Sequence, residues 1–420
     1  MNKTTIKFLN HIRNISPFKV DAQIWRIYLD ALLASLLRIF TKMNLYYLYG
    51  KKQKMREIMS KLKINIILFG IGNIGSTLIN QIIESQEFFL QSKNVDFHFP
   101  IITNSTVAFF EKEGVGYSWE TNFRELAVPF RVEDIVQFAK ENEFENLIAV
   151  DATASDELIG HYNTLIENGF NIVAVNKKAN TLPIDLYKKL RENLKKYDKE
   201  FLYETSVDTG FPVLQTLRDL YYSGEKITKI RGVFSDHLSY VFNRYSAEEN
   251  SFSAILKDAS LLGLMRSTFK EDLSGNDTAR KLLILTREIG REFELADIKI
   301  NPIIKEEHLE KNGILNKEAI DKSYKIAKIT QAENHVLRYV GEFDVAKNRL
   351  EVKLVSEPIT SAIGQLKGSD SIFEIYTQSY TNVPIVIQSA SPTKQAISRG
   401  IIADILKVAE KIKNKEAVWL

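Results

Sequence analysis

Asp277 and Lys281 stand four residues apart in the stretch Asp272-Leu-Ser-Gly-Asn-Asp-Thr-Ala-Arg-Lys281. The run that follows, with Leu282, Leu283, Leu285 and Ile289, places apolar residues at helical spacing and predicts a helix. Residues four apart on a helix share a face, so carboxylate and ammonium would project into one place. A pair held in that way can grip a substrate hydroxyl and relay its proton. The same spacing also fits an exposed salt bridge on a helix surface, which would carry no chemistry.

The elements around this pair favour the chemical reading. Ile64–Leu68 is a short apolar run that reads as a buried parallel strand, and it enters Gly70-Ile-Gly-Asn-Ile-Gly75 directly. A helical stretch, Ser76 to Glu87, follows. Strand, glycine turn and helix in that order are what a dinucleotide-binding fingerprint requires. Gly70 permits the tight turn, Gly72 lets a pyrophosphate approach the backbone, and Gly75 lets helix and strand pack. The phosphates then meet the helix N-terminus at Asn73 and Ile74. Further strands are expected at Phe97–Ile102, Leu147–Asp151 and Asn171–Val175, alternating with amphipathic helices, which predicts a doubly wound parallel sheet. Lys177 follows the last of these strands, at the carboxyl edge where α/β folds bind ligands. The other reading of Lys177 is a solvated pair with Lys178. Thr153 and Ser155 follow the strand ending at Asp151 and offer hydroxyls to the nicotinamide end of a nucleotide.

The fold class expected is α/β, a Rossmann-type domain at 63–200 followed by an α+β domain at 201–380. The latter mixes helices with β-rich segments such as Lys229–Phe234 and Leu350–Val355. A C-terminal segment, 381–420, carries a final helix over Ser398–Lys413. Residues 1–62 form an extension whose centre, Ile24 to Tyr49, reads as an amphipathic helix followed by the basic cluster Lys51, Lys52, Lys54 and Arg56. Its longest uncharged run is too short to span a bilayer. It serves either to pack on its own domain or a neighbouring subunit, or to lie on an anionic membrane surface.

Composition narrows the classes. With 45% apolar residues the chain can bury a sizeable core, and a net charge of +3 argues neither for a nucleic-acid surface nor for an acidic tail. The absence of cysteine excludes disulfides, thiolate metal sites and a cysteine nucleophile, and fits a cytoplasmic location. The six histidines show no metal-binding spacing.

The stretches Ile64–Ser76, Asp151-Ala-Thr-Ala-Ser155, Val175-Asn-Lys-Lys-Ala-Asn180, Phe201-Leu-Tyr-Glu-Thr205, Asp272–Glu294 and Val336-Leu-Arg-Tyr-Val-Gly341 occur in the order found in homoserine dehydrogenases. The chain from about 63 to 415 resembles that family, in particular the dehydrogenase half of the bifunctional aspartokinase–homoserine dehydrogenases, with no counterpart of the kinase half. The resemblance implies an NAD(P)-dependent oxidoreductase of amino-acid biosynthesis, working on homoserine and aspartate semialdehyde as a homodimer. It implies that Lys281 and Asp277 handle the hydroxyl proton. Lys177 would reach cofactor and substrate, and Asp272 and Asp277 would line the substrate. It also implies a monovalent cation held near Glu204 by carbonyls around Val207 and Thr209. Cofactor choice rests on Asn104-Ser105-Thr106 after the second strand, which offers neither the acid of an NAD site nor the base of an NADP site. Lack of the acid favours NADP.

The departures from the family pattern cluster at the substrate. Val207-Asp-Thr-Gly210 and Phe234-Ser-Asp-His-Leu-Ser-Tyr240 carry Asp208 and Asp236 where the family has glycine. Arg266 stands where the family's glutamate binds the substrate amino group, and Ser391-Pro-Thr393 replaces a late Gly-Ala-Gly turn. Arginine there reverses the charge facing an ammonium and suits an acidic or phosphorylated group instead. Three outcomes remain open: the family reaction, the same chemistry on another substrate, and an inactive regulatory relative.

Overall fold

The computed structural model describes residues 61–207, 210–265, 273–310 and 314–418. The amphipathic stretch and basic cluster of the extension lie outside them, as do Asp208, Thr209, Arg266 and Asp272.

Two sheets organise the chain from Leu62. The first has seven strands, β1 (Leu62–Phe69), β2 (Val95–Thr103), β3 (Val107–Phe110), β4 (Val128–Pro129), β5 (Leu147–Asp151), β6 (Asn171–Ala174) and β7 (Phe201–Leu202), in the order β4-β3-β2-β1-β5-β6-β7. The helices between them are α1 (Asn73–Glu84), α2 (Gln86–Lys93), α3 (Trp119–Leu126), α4 (Val132–Glu141), α5 (Tyr162–Glu167) and α6 (Ile184–Lys196). Strands β2, β1, β5, β6 and β7 pair in parallel, as the alternation predicts. The other two depart from it: β3 and β4 add an antiparallel edge. The cause is local. Asn104 Oδ1 accepts from the amides of Thr106 and Val107, both at 2.8 Å, and this side-chain-closed turn reverses the chain after β2. The helix expected over Ser76–Glu87 begins earlier, at Asn73, and is interrupted at Ser85 before α2.

The second sheet contains β8 (Ile227–Val233), β9 (Lys299–Ile300), β10 (His335–Asp344), β11 (Arg349–Pro358), β12 (Ser371–Thr377) and β13 (Ile385–Ser389), ordered β13-β12-β8-β10-β11-β9 and antiparallel except at β9. Its helices are α7 (Leu214–Tyr222), α8 (Asp236–Ala247), α9 (Phe252–Leu261), α10 (Asn276–Glu288) and α11 (Lys317–Thr330). Alternation along β10 turns Leu337, Tyr339 and Phe343 toward these helices. The last helix, α12 (Lys394–Val418), returns to the first sheet, where Ile401, Ile405 and Val408 pack with Leu78 and Ile82 of α1 over Ile64, Ile66 and Leu68.

Candidate active site

Helix α10 is buried nearly all round, and that decides between the two readings of the Asp277–Lys281 pair. Lys281 is 1% exposed, and its Nζ donates to the carbonyl of Phe234 at 2.6 Å and meets Asp277 Oδ2 at 2.9 Å. A lysine fully withdrawn from water is held by specific partners, not by the weak attraction of a surface pair. Asp277, in the first turn of α10, is half-exposed and receives a second ammonium: Lys177 Nζ lies 2.6 Å from its Oδ1. Lys178 turns away to Asp156 at 2.9 Å, so the two neighbouring lysines do not act as one solvated pair. Partial burial works against the Asp277 charge, but Lys281 and Lys177 outweigh it and hold the carboxyl well below the usual carboxylate range. Asp277 is therefore a fixed anion that orients two ammonium groups. The entry to α10 is sharp: Gly275 has φ of +83°, and a Cβ there would overlap the Tyr339 hydroxyl.

The glycine turn forms the floor of a second feature, a cavity of about 620 Å³ at the carboxyl ends of β1, β2 and β5. Gly70 has φ of +95°, and a Cβ on Gly75 would overlap the Gly70 carbonyl, so both glycines are required by backbone geometry. Gly72 differs. A Cβ there meets nothing within 4 Å, because the residue faces open space at the start of α1. Among the described residues no side chain caps α1 at Gly72, leaving the amides of its first turn, from Asn73, directed at that space. An oxyanion would satisfy them, which is the fit a dinucleotide pyrophosphate requires.

Thr153 lines this cavity, but its hydroxyl and amide both donate to Asp151 Oδ1, at 2.7 and 2.9 Å. The hydroxyl is thus committed to shaping the loop. Asp151 is a buried hub that also accepts from Tyr162 Oη at 2.7 Å and Asn176 Nδ2 at 3.1 Å, which ties the ends of β5 and β6 together beside Lys177. Burial pushes its carboxyl above the usual value, against these donors. The role of Tyr162 has no signal in sequence spacing, nor does the entry of Arg131, the residue before α4, into the cavity wall beside Asn104 and Ser105.

Glu204 is buried, and its two oxygens accept from the amides of Val213, Leu214 and Gln215 at 2.6–2.9 Å, capping α7. Burial pushes this carboxyl up as well, against those donors. Val207 is buried beside it, and Thr209 lies outside the described residues. The hydroxyls of Thr205 and Ser206 are buried in the same loop without a hydrogen-bond partner among the described residues. No cluster of three or more His, Cys, Asp or Glu side chains suited to a metal occurs among the described residues.

Two of the positions that depart from the family pattern meet. Asp236 opens α8, two residues after the carbonyl that holds Lys281, and its Oδ2 accepts from the Ser391 hydroxyl at 3.0 Å. Ser391 belongs to the turn that leads into α12, and Ser398 of that helix donates to the carbonyl of Ile74 in α1 at 3.2 Å. Arg266 and Asp272 lie outside the described residues.

Two family models match the sequence, and each contains part of this site. One described as homoserine dehydrogenase, NAD binding domain, matches 70–204, and one described as homoserine dehydrogenase matches 212–406. The chain belongs to the homoserine dehydrogenase family. The bifunctional aspartokinase/homoserine dehydrogenase of Buchnera aphidicola is 35% identical over 356 residues, covering 83% of this chain and 43% of the relative. The chain thus spans less than half the length of this bifunctional relative. The homoserine dehydrogenase of Saccharomyces cerevisiae is 29% identical, with 84% of this chain and all of the relative covered. Among solved structures, a Candida auris protein of unknown function superposes with a TM-score of 0.75 at 27% identity, covering 83% of this chain and 99% of that one. A hyperthermophilic archaeal homoserine dehydrogenase in complex with NADPH shares the fold, with a TM-score of 0.64 at 19% identity and coverage of 83% and 98%. The family is one of NAD(P)-dependent oxidoreductases. Among the described residues no helix is long and apolar enough to cross a membrane.

Proposed function

We propose that this chain catalyses the NAD(P)-dependent interconversion of homoserine and aspartate semialdehyde. The observation that carries the reading is the buried Lys281, locked between the Phe234 carbonyl and Asp277 with Lys177 on the other carboxylate oxygen. The nicotinamide, when bound, exchanges hydride with the carbon that bears the reacting oxygen. The chain's own part is the proton. In the reducing direction the Lys281 ammonium gives a proton to the aldehyde oxygen, and in the oxidising direction the hydroxyl proton returns to Lys281. Asp277 keeps the ammonium aimed, and Lys177 holds the same oxygen or its neighbour on the substrate. Purified protein incubated with NADPH and aspartate semialdehyde should consume both in equal amounts; no consumption of NADPH would defeat the reading.

For the cofactor we infer NADP over NAD. The turn at 104–106 carries no acid for a ribose diol, and Arg131 offers a guanidinium in the same cavity. Glu133 shares that wall, so the two side chains can be set against each other. Arg131→Ala should weaken NADPH binding by roughly tenfold or more, the worth of a charge-assisted hydrogen bond, with NADH affinity unchanged. Equal effects on both cofactors, measured by fluorescence titration, would refute the assignment.

The alternative substrate reading rests on Arg266. If Arg266 obstructs the substrate ammonium, Arg266→Glu should raise turnover of homoserine. If Asp236 and Asp208 take the ammonium instead, the same change crowds carboxylates and lowers it. On this alternative, wild-type activity on homoserine should be weak; a kcat/KM of about 10⁴ M⁻¹s⁻¹ or above would remove the case for a changed substrate.

A monovalent cation in the 204–209 loop would draw on carbonyls and the buried hydroxyls of Thr205 and Ser206, since Glu204 is engaged by α7. Homodimerisation and a cytoplasmic location rest on the family resemblance and on the absence of cysteine. Light scattering tests the former.

A further inference from the structure

Lys177 is held from two directions, and the ion pair to Asp277 is one of them. The other is the turn of chain that carries it, Lys178–Thr181, which is gripped by α10, the helix that bears Asp277 and Lys281. Arg280 Nη1 donates to Thr181 Oγ1 at 2.8 Å, and that hydroxyl lies 3.4 Å from the carbonyl of Lys177 and 3.2 Å from that of Lys178. Two turns along α10, buried Arg287 donates through Nη1 to the carbonyls of Asn180, at 3.0 Å, and Leu182, at 2.8 Å. Its Nη2 reaches the carbonyl of Phe293 at 2.8 Å, so one planar group gathers three backbone carbonyls from two segments of chain. Arg191 Nη2, from α6, fixes Asn180 Oδ1 at 2.6 Å on the far side.

A helix rises about 1.5 Å per residue and bends little over three turns, so Asp277, Arg280 and Arg287 are fixed points on one rigid rod. The separation between the Lys177 backbone and the Asp277 carboxylate is then set within α10 itself, not by the looser packing of two sheets. We propose that Arg280 and Arg287 are positioning residues that hold the Lys177 ammonium on Asp277, and through it set the geometry of the Lys281 proton site. The inference rests on the proton-handling role proposed above for this set. The alternative is that the two arginines only satisfy polar groups, a hydroxyl for Arg280 and carbonyls for Arg287, at the end of a short helix. Arginine is needed for the tether because a lysine at 287 keeps the charge but cannot reach three carbonyls with one planar fork.

Competitive trace acetylation with acetic anhydride, read by mass spectrometry, tests the tether without turnover. In folded Arg287→Lys, labelling of Lys177 should rise severalfold relative to exposed Lys299, with buried Lys281 unchanged. Arg280→Ala, which cuts the tether at Thr181, should act in the same direction and serves if Arg287→Lys does not fold. Unchanged Lys177 labelling in a folded variant would overturn the proposal. Turnover supplies a second arm. Arg287→Lys should lower kcat by about tenfold or more, the usual cost of a misplaced group. Added to Lys177→Met, it should cost nothing further, because it acts through Lys177. An equal loss in both backgrounds would show an independent structural effect and overturn the proposal. A wild type that consumes no homoserine or aspartate semialdehyde defeats the proposed reaction instead, and the labelling still decides the tether.

Discussion

Lys281→Ala should lower kcat by roughly two to four orders of magnitude, the usual worth of a positioned acid or base. NADPH affinity should stay near wild type, because Lys281 lies on α10 and does not line the cavity at the glycine turn. The change also orphans the Phe234 carbonyl and empties a buried volume, so Lys281→Met, which keeps the volume, is the cleaner companion. Stopped-flow measurement of NADPH oxidation on either folded variant decides the matter: normal turnover would reduce the pair to scaffolding. The pH dependence separates the two members. Because the Asp277 pKa is depressed in the fold, its contribution to stability is present above its unfolded value of about 4 and is lost as pH falls toward the folded one. An acid limb in kcat/KM between about pH 5 and pH 7 therefore belongs to another group, since an unperturbed carboxyl already titrates below that window. Asp277→Asn should lower the plateau without shifting that limb; a limb that moves with Asp277→Asn would contradict the assignment.

The second large effect is at the glycine turn, where two neighbouring glycines should fail in different ways. Gly72→Val adds bulk into open space at the N-terminus of α1, so the fold should persist while dinucleotide binding is lost. Gly75→Ala drives a methyl into the Gly70 carbonyl, so α1 must shift off β1, and thermal stability should fall along with binding. Differential scanning calorimetry beside NADPH titration separates them. A Gly72→Val protein that binds NADPH as tightly as wild type would refute the placement of the pyrophosphate on this turn.

Much of the first sheet was legible in advance because parallel strands buried on both faces read as apolar runs. Leu147–Asp151 was delimited from the residues alone, and β1, β2 and β6 within a few positions. The antiparallel edge was not legible: β3 and β4 are two to four residues long, and their existence depends on how Asn104 spends its side chain. Four-residue spacing placed Asp277 and Lys281 on one face, yet it is equally the spacing of an ordinary surface pair, and nothing local told them apart. Arg131 and Tyr162 stood outside every recognisable motif. Arg131 shares a cavity wall with Asn104 and Ser105, far from it in the sequence, and Tyr162 donates to Asp151 at a strand end.

What the sequence determined by itself is what short-range physics controls. Those features are the period of the strands and of α10, the glycines that a tight turn demands, and the four-residue step that joins carboxylate to ammonium. What only the tertiary structure decided is burial and convergence. Lys281 became a site residue when α10 was enclosed on nearly every side. Lys177, 100 positions earlier in the chain, was brought to 2.6 Å from Asp277 because the turn that follows β6, Lys178–Thr181, packs on α10. Dielectric and distance govern what a charged group can do, and both are properties of the assembled fold, not of any one segment.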